Sequence, residues 1–399
     1  MGYVAVRGGA EAIEASIERL RFERIAGGVV PRQEQIRQGM RRLVEQVMSE
    51  ASLYDEDASI LAVAQAEGSP EEAVFLLRAY RSTLSRTRSS SPIRSESMRV
   101  VRRISAAFKD IPGGQILGAS PDYTHRLLDP RLFEESEQGL LGWVREFLGR
   151  AVLPAKIGYL PKVVDLLRAE GLVAPLSAAD APLRDVTRGN LVFPATRSER
   201  LQTLTRGQTG AVTALAYAAL RGYGALHPTV AELRVGYLQV SVPDPAGATT
   251  AEAGAASAAA TGPARSTFED DDYYVGEVLV TEVETLIPVS IPRGEGRSEL
   301  IFELGYGVCF GRNETKAIAM SILEHCLETG DPRYPTHDEE FVLTHVDTVE
   351  ATGFISHLKL PHYVTFQSKL DAVRAARQAA GTVAAGAPPG TMAATGDAP

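Results

Sequence analysis

The 399-residue sequence predicts an α+β protein, with a mainly helical N-terminal part and a mixed α/β C-terminal part. Helical periodicity dominates the first hundred residues, where apolar side chains recur every three or four positions. Strand-like segments are confined to the second half, at Val235–Val242, Val275–Val283 and Leu300–Phe310, and a helical run over Glu314–Thr329 follows the last of them.

The elements follow in order. After a short apolar opening, Tyr3-Val4-Ala5-Val6, two glycines lead into a predicted helix over Ala10–Ala26 that lines up Ile13, Ile17 and Leu20. Pro31 suits a first helical turn, and Ile36, Met40, Leu43, Val44 and Val47 continue the 3.6-residue pattern. Ser69-Pro70-Glu71-Glu72 is a helix start: a capping hydroxyl, a proline that needs no N–H partner, and acids near the positive dipole end. The helix after it, Glu71–Arg86, is expected to bury Val74, Leu77 and Leu84, and its flank turns basic at Arg78, Arg81, Arg86 and Arg88. Residues 99–130 read as a basic helix, a glycine-rich turn and an aromatic, polar segment. Helical patterns recur at Gly139–Leu148, Lys162–Glu170 and Ala211–Leu220, the last running into Arg221-Gly222-Tyr223-Gly224.

Five regions are therefore expected: a helical region 1–130, a helical or mixed region 131–242, an insertion 243–267, a mixed α/β region 268–375 and a disordered tail 376–399. The insertion, PDPAGATTAEAGAASAAATGPARST, has no large apolar side chain and cannot build a core of its own.

Composition narrows the function classes. A net charge of −9 argues against a protein that coats nucleic acid, so any phosphate-bearing ligand must be held by local basic clusters. The two cysteines, Cys309 and Cys326, form no CxxC and fit a reducing cytoplasm. No leader and no membrane span are expected, since no apolar run reaches the roughly 18 to 20 residues a span needs. No GxxxxGK[ST] loop is present.

Chemistry concentrates in Asp338–Phe366, which holds His345, His357 and His362, three of the seven histidines, together with Asp338, Glu339, Glu340, Asp347 and Glu350. His357 and His362 are five residues apart, a spacing that does not stack on one helical face. Pro361 makes a bend between them, which can point both imidazoles at one ion. Two histidines are too few for zinc, which takes four ligands, so the remainder must come from elsewhere. Without a metal, the pair is two partly exposed histidines around a proline.

Taken together, YVAVRGGAEAI (3–13), FLLRAYRSTL (75–84), RRISAAFKDIPGGQILG (102–118), DYTHRLLD (122–129), RGYGALHP (221–228) and DEEFVLTHVDTVEATGFISHLKLPHYVTFQ (338–367) closely resemble the PhnI family. The matching blocks occur in order over most of the chain, leaving out roughly 131–190, the insertion and the tail. The resemblance implies a subunit of the bacterial carbon–phosphorus lyase core complex, working with PhnG, PhnH, PhnJ and PhnL-type partners. It implies displacement of adenine from MgATP by a phosphonate such as methylphosphonate, giving a ribose 1-phosphonate 5-triphosphate, and a purine nucleosidase activity of the isolated subunit. It further implies that His357 and His362 meet a zinc ion at the interface with PhnJ.

Cleaving a glycosidic C–N bond passes through an oxocarbenium-like state, which calls for a carboxylate near the ribose and a proton donor near the base. Asp338, Glu339 and Glu340 are candidates for the first and His345 for the second. The plainer alternative is that the acidic triplet caps a helix beginning near Phe341. For the phosphates, Arg102, Arg103, Lys109, Gly113, Gly114 and Arg126 form the best cluster, because a glycine turn exposes amides and arginine binds oxygens bidentately. The alternative is a solvated basic helix before an ordinary Pro-Gly-Gly turn. Arg221-Gly222-Tyr223-Gly224 and His227 share that ambiguity, with subunit contact as a third option. At the level of the whole chain, the rivals to a catalytic subunit are a non-catalytic scaffold that contributes an interface metal site, and a lone nucleoside hydrolase.

Overall fold

The structure, a computed structural model, describes residues 9–150, 160–175, 184–223, 227–243, 272–294 and 296–379. The apolar opening at Tyr3–Val6, residues 244–267 of the insertion and the tail from 380 lie outside the described residues. Two compact units emerge, one of residues 1–30 and 351–399 and one of residues 31–350. No helix of the described residues is long and apolar enough to cross a membrane.

The first unit opens with α1 (Gly9–Ile25), one residue earlier at each end than the spacing predicts, and none of its residues is buried. The second unit begins with a helical cluster: α2 (Gln33–Gly39), α3 (Arg41–Ala51), α4 (Glu56–Gln65) and α5 (Pro70–Thr83). Their shared core is Ile36, Val44, Val47, Met48, Ile60, Val63, Val74 and Leu77, which includes most of the stripe the 3.6-residue pattern marks. Met40 is exposed, however, and so is Leu84, which lies past the end of α5 at Thr83 rather than in a helix reaching Arg86. Asp55 caps α4 by accepting from the Ala58 N–H at 2.9 Å. Ser69 caps α5, and Pro70 occupies its first position as its start signal predicts.

Residues 99–104, read from their charge as part of a basic helix, instead form strand β1 (Arg99–Ile104). Val100, Val101 and Ile104 are β-branched and lose rotamer freedom in a helix, and an antiparallel partner strand supplies their backbone groups with hydrogen bonds. Helices α6 (Arg131–Glu134) and α7 (Glu137–Arg150) follow with no buried residue, then α8 (Val163–Ala169), α9 (Arg197–Arg206) and α10 (Thr209–Ala218). Strands β2 (Thr229–Pro243), β3 (Asp272–Pro292) and β4 (Ser298–Phe310) complete an antiparallel sheet of order β1-β2-β3-β4. Helix α11 occupies Glu314–Thr329, the bounds the sequence predicts, and Gly330 ends it in the left-handed region at φ 59. Two short helices, α12 (Glu339–His345) and α13 (Thr348–Ser356), come next. Returning to the first unit, a 3₁₀ turn at His357–Lys359 precedes α14 (Tyr363–Ala379).

One face of the sheet packs on α11 through Leu233, Val235, Val283, Met320 and Leu323. Gly305 and Gly307 permit a very close approach: a Cβ at 305 would stand 2.1 Å from the Ser321 carbonyl oxygen, and one at 307 would stand 2.0 Å from that of Ala317. A buried ionic cluster stands on the same three strands. Lys162 Nζ reaches Glu282 at 2.9 Å and Glu284 at 3.2 Å, Arg234 Nε donates to Glu282 at 3.1 Å, and the Tyr306 hydroxyl donates to Glu282 at 3.0 Å. Arg103, fully buried, pairs with Glu232, whose other oxygen accepts from the Val163 N–H at 3.1 Å. The charges survive burial because each has an opposite partner and further hydrogen bonds.

Burial alone would raise the Glu282 carboxyl, but the Arg234 guanidinium and the Lys162 ammonium outweigh it and bring it down to about 2. A carboxyl lowered on folding contributes stability that is fully present above its ordinary 4.5 and is lost as pH falls toward 2. Glu282→Gln is therefore expected to cost roughly 3 to 5 kcal/mol at pH 7 in urea unfolding, because buried Arg234 loses its paired anion and Lys162 loses one of its two. The variant's stability should also fall less steeply than that of the wild type between pH 4.5 and pH 2; an equal slope in both would refute the assignment.

Candidate functional site

Asp338 is the N-cap of α12, its Oδ1 accepting from the Phe341 N–H at 2.7 Å. Glu339 turns back into the second unit, pairing with Arg200 at 2.8 Å and accepting from the Ala195 N–H at 2.8 Å. Glu340 and His345 are exposed. The His345 Nδ1 lies 2.6 Å from the Phe341 carbonyl oxygen, so Nδ1 carries the proton and Nε2 is the basic nitrogen turned outward. Of the other acids in this stretch, Asp347 binds Arg78 through both carboxylate oxygens, at 2.9 and 2.6 Å, and Glu350 is exposed.

The two remaining histidines belong to the first unit. Their rings lie 5.4 Å apart, centroid to centroid, and tilted by 58°. His362 Nδ1 lies 2.6 Å from the Leu360 carbonyl oxygen, and His357 Nδ1 hydrogen-bonds the Phe354 carbonyl. Each backbone contact fixes a tautomer in which Nε2 keeps its lone pair, the arrangement that orients metal-binding histidines. The donor set thus fits half of a zinc site. No group of three or more potential ligands converges among the described residues.

The glycine-rich segment is built differently. Arg103 is wholly buried and donates to the Pro112 carbonyl at 2.6 Å and the Pro161 carbonyl at 2.8 Å, besides pairing with Glu232. Arg102, 2% exposed, is held by Asp122 at 2.6 Å and Glu314 at 2.9 Å. Gly113 has φ +83, and a Cβ there would stand 2.2 Å from Leu160; the adjoining Gly114 has φ +76. The two glycines therefore fold the turn over Arg103, whose guanidinium organises it from below. Lys109 and Arg126 are exposed, Arg126 donating to the Pro121 carbonyl at 3.1 Å. His227 is described and exposed, whereas Gly224 lies outside the described residues.

Sequence reasoning met Arg81 only as part of a basic flank and passed over Arg188 and Arg206; the three line a cavity of about 1170 Å3 between the end of α5, α9 and β4. The basic flank of α5 was its one visible trace.

The described residues thus form an α+β protein with a helix-covered antiparallel sheet, an arginine-lined cavity in the second unit and, in the first, two histidines at a bend with rings 5.4 Å apart. The sequence pattern of "Bacterial phosphonate metabolism protein (PhnI)" matches residues 2–380. The chain is 44% identical over 380 residues to "Putative C-P lyase subunit protein HtxH" of Stutzerimonas stutzeri, covering 94% of this chain and 95% of that protein. It is 40% identical over 385 residues to "Alpha-D-ribose 1-methylphosphonate 5-triphosphate synthase subunit PhnI" of Escherichia coli strain K12, covering 94% and 98% of the two chains. The protein of the same name from Rhizobium meliloti strain 1021 is 41% identical over 389 residues, covering 94% and 95%. The chain belongs to the PhnI family.

The cap role of Asp338 is separable from any acid–base role. Asp338→Ala should lower unfolding stability by about 1 kcal/mol, while Asp338→Ser, which keeps a capping oxygen without a carboxylate, should stay within about 0.5 kcal/mol of the wild type. Equal losses in urea unfolding for both variants would show that capping is not what Asp338 contributes to the fold.

Proposed function

We propose that this chain is a catalytic subunit of the carbon–phosphorus lyase system of phosphonate catabolism. With its partners it displaces adenine from MgATP by methylphosphonate, giving α-D-ribose 1-methylphosphonate 5-triphosphate; alone, it acts as a purine nucleosidase with water as the acceptor. The observation that carries this reading is 40% and 41% identity, over 94% of the chain in each case, to two proteins bearing that synthase-subunit name.

In the reaction the C1′–N bond breaks as an oxygen of the phosphonate, or of water, attaches to C1′. The electron pair leaves with the base, which needs a proton. His345, with its ring held by the Phe341 carbonyl, is the proposed donor once protonated. The exposed Glu340 is the acid of the Asp338-Glu339-Glu340 triplet with neither a helix cap nor an ion pair among its interactions, and it is the proposed carboxylate toward the developing ribose cation. Magnesium enters with the triphosphate as part of the substrate.

His357 and His362 are the proposed ligands this chain offers to zinc, through their Nε2 atoms. A zinc ion bound there would draw its other ligands from a PhnJ-type subunit and tie the two chains together. PhnG, PhnH and PhnL-type subunits are the further proposed partners, and exposed large apolar side chains support an assembled state: Leu128 is 100% exposed and Phe133 95%.

The scaffold reading, with catalysis carried by another chain, is favoured by the structural employment of Asp338 and Glu339. One set of assays separates the two. The purified chain is expected to release adenine from ATP, and the assembled complex to incorporate methylphosphonate, with His345→Ala slowing base release at least tenfold and His357→Ala weakening assembly. Release no greater than that of a heat-killed control, in the chain and the complex alike, would sink the enzymatic reading. No release by the purified chain, with release by the assembled complex unchanged in His345→Ala and Glu340→Gln and assembly lost in His357→Ala, would favour the scaffold.

A further inference from the structure

Six arginines and a single carboxylate face the cavity between the end of α5, α9 and β4: Arg81, Arg86, Arg184, Arg188, Arg197 and Arg206, with Asp185. Three of the cations are neutralised. Arg86 pairs with Asp185 at 2.6 Å, Arg184 with Glu199 at 3.2 Å and Arg197 with Glu324 at 2.6 Å. The other three have no carboxylate within ion-pair distance among the described residues. The Arg81 Nε is buried without a hydrogen-bond partner, and Arg206 reaches only the Ser52 hydroxyl, at 3.3 Å.

This arrangement is unfavourable for folding. Burial, with the Arg78 guanidinium close by, pushes Arg206 down to about 10, and burial lowers Arg81 as well. A partly buried cation without an ion-paired anion carries a desolvation penalty, which the more distant Asp185 and Asp347 offset only in part, since burial still lowers both arginines. Arg103 and Arg234, by contrast, are buried with carboxylate partners. Unpaired cations gathered around an open cavity are what a polyanion would neutralise, since guanidinium groups bind phosphate oxygens in bidentate fashion.

The dimensions agree. Ligand cavities are typically about 300 to 1,000 Å3, and about 1170 Å3 is room enough for a whole nucleotide. The lining also includes the apolar side chains Leu53, Leu84, Leu201, Val308 and Phe310, interspersed with the arginines. Tyr54 packs edge-on against Phe310 at 5.3 Å and holds that ring in place. The cavity therefore offers both charged and apolar groups to a ligand.

We propose that this cavity binds a nucleoside triphosphate, with its phosphates on Arg81, Arg188 and Arg206 and its uncharged portion toward Phe310. The assignment of the ligand rests on the proposed use of a nucleotide substrate; the polyanion character rests on the arginines themselves.

The test measures binding by the full chain to ATP, to inorganic tripolyphosphate and to adenosine, using calorimetry and thermal unfolding. ATP and tripolyphosphate should bind and adenosine should bind far more weakly. Arg206→Met and Arg81→Gln should each weaken ATP and tripolyphosphate at least about tenfold, while Arg293→Gln on the surface should leave both unchanged. Without ligand, Arg206→Met should melt no lower than the wild type, because it removes an unpaired charge; a purely structural arginine would give a lower melting temperature. Unchanged ATP affinity in both cavity variants overturns the proposal, as does failure of ATP and tripolyphosphate to bind the wild type. If the variants lose tripolyphosphate but the wild type never releases base, the site stands and the proposed reaction falls. If Arg206→Met releases base with unchanged KM for ATP, the site falls and the reaction stands.

Discussion

Helix α11 rests directly on the backbone of β4, and the second unit is arranged around that contact. Only hydrogen atoms at residues 305 and 307 leave room for it, since any Cβ there would collide with the carbonyls of Ser321 and Ala317. From this position α11 anchors α9 twice. Lys316, fully buried, donates to the carbonyls of Thr205 and Gly207 at 2.6 and 2.7 Å, and Glu324 binds Arg197 while accepting from the Tyr306 N–H at 3.0 Å. Those bonds, with the Thr205 hydroxyl donating to the Val308 carbonyl at 3.0 Å, hold α9 beside β4, and Arg197 and Arg206 at its two ends line the cavity with Val308 and Phe310. The cavity is thus a consequence of how closely one helix can approach one strand.

The arginines of the sheet and two of those at the cavity, Arg81 and Arg206, differ in whether a carboxylate pairs with them. Arg103, Arg102 and Arg234 are buried with carboxylate partners and carbonyl acceptors, and their employment is to hold the sheet, the glycine turn and α8 together. Arg81 and Arg206 are partly buried without such partners. A satisfied buried charge is part of the fold, whereas an unsatisfied one beside a cavity is a destabilising feature that a ligand can relieve. The same criterion divides the acidic triplet, in which Asp338 and Glu339 are occupied by helix capping and by Arg200, and Glu340 is exposed.

Much of the architecture was legible in the sequence. The bounds of α11, the start of α5 at Ser69-Pro70 and the cap at Asp338 follow from local periodicity and capping chemistry. The three strands read at Val235–Val242, Val275–Val283 and Leu300–Phe310 are parts of longer ones, Thr229–Pro243, Asp272–Pro292 and Ser298–Phe310. Strand β1 was not legible, because Arg102 and Arg103 drew attention to charge while the deciding factor was a partner strand more than a hundred residues away. For the same reason Arg103 and Arg206 look alike in sequence: only the tertiary fold brings Glu232 to one and leaves the other without an anion. The tautomers of His345, His357 and His362 likewise depend on backbone carbonyls that the sequence does not reveal. Family membership came from ordered blocks of sequence, and composition alone had reached no further than excluding a nucleic-acid coat.

The most direct measurement is a density map of the assembled complex with a non-hydrolysable ATP analogue, in which the phosphorus atoms are located. The account predicts phosphate oxygens within hydrogen-bond distance of the Arg81 and Arg206 guanidinium groups, in the cavity between α5, α9 and β4. Phosphates seated instead against the glycine turn, beside Lys109 and Arg126, would contradict it.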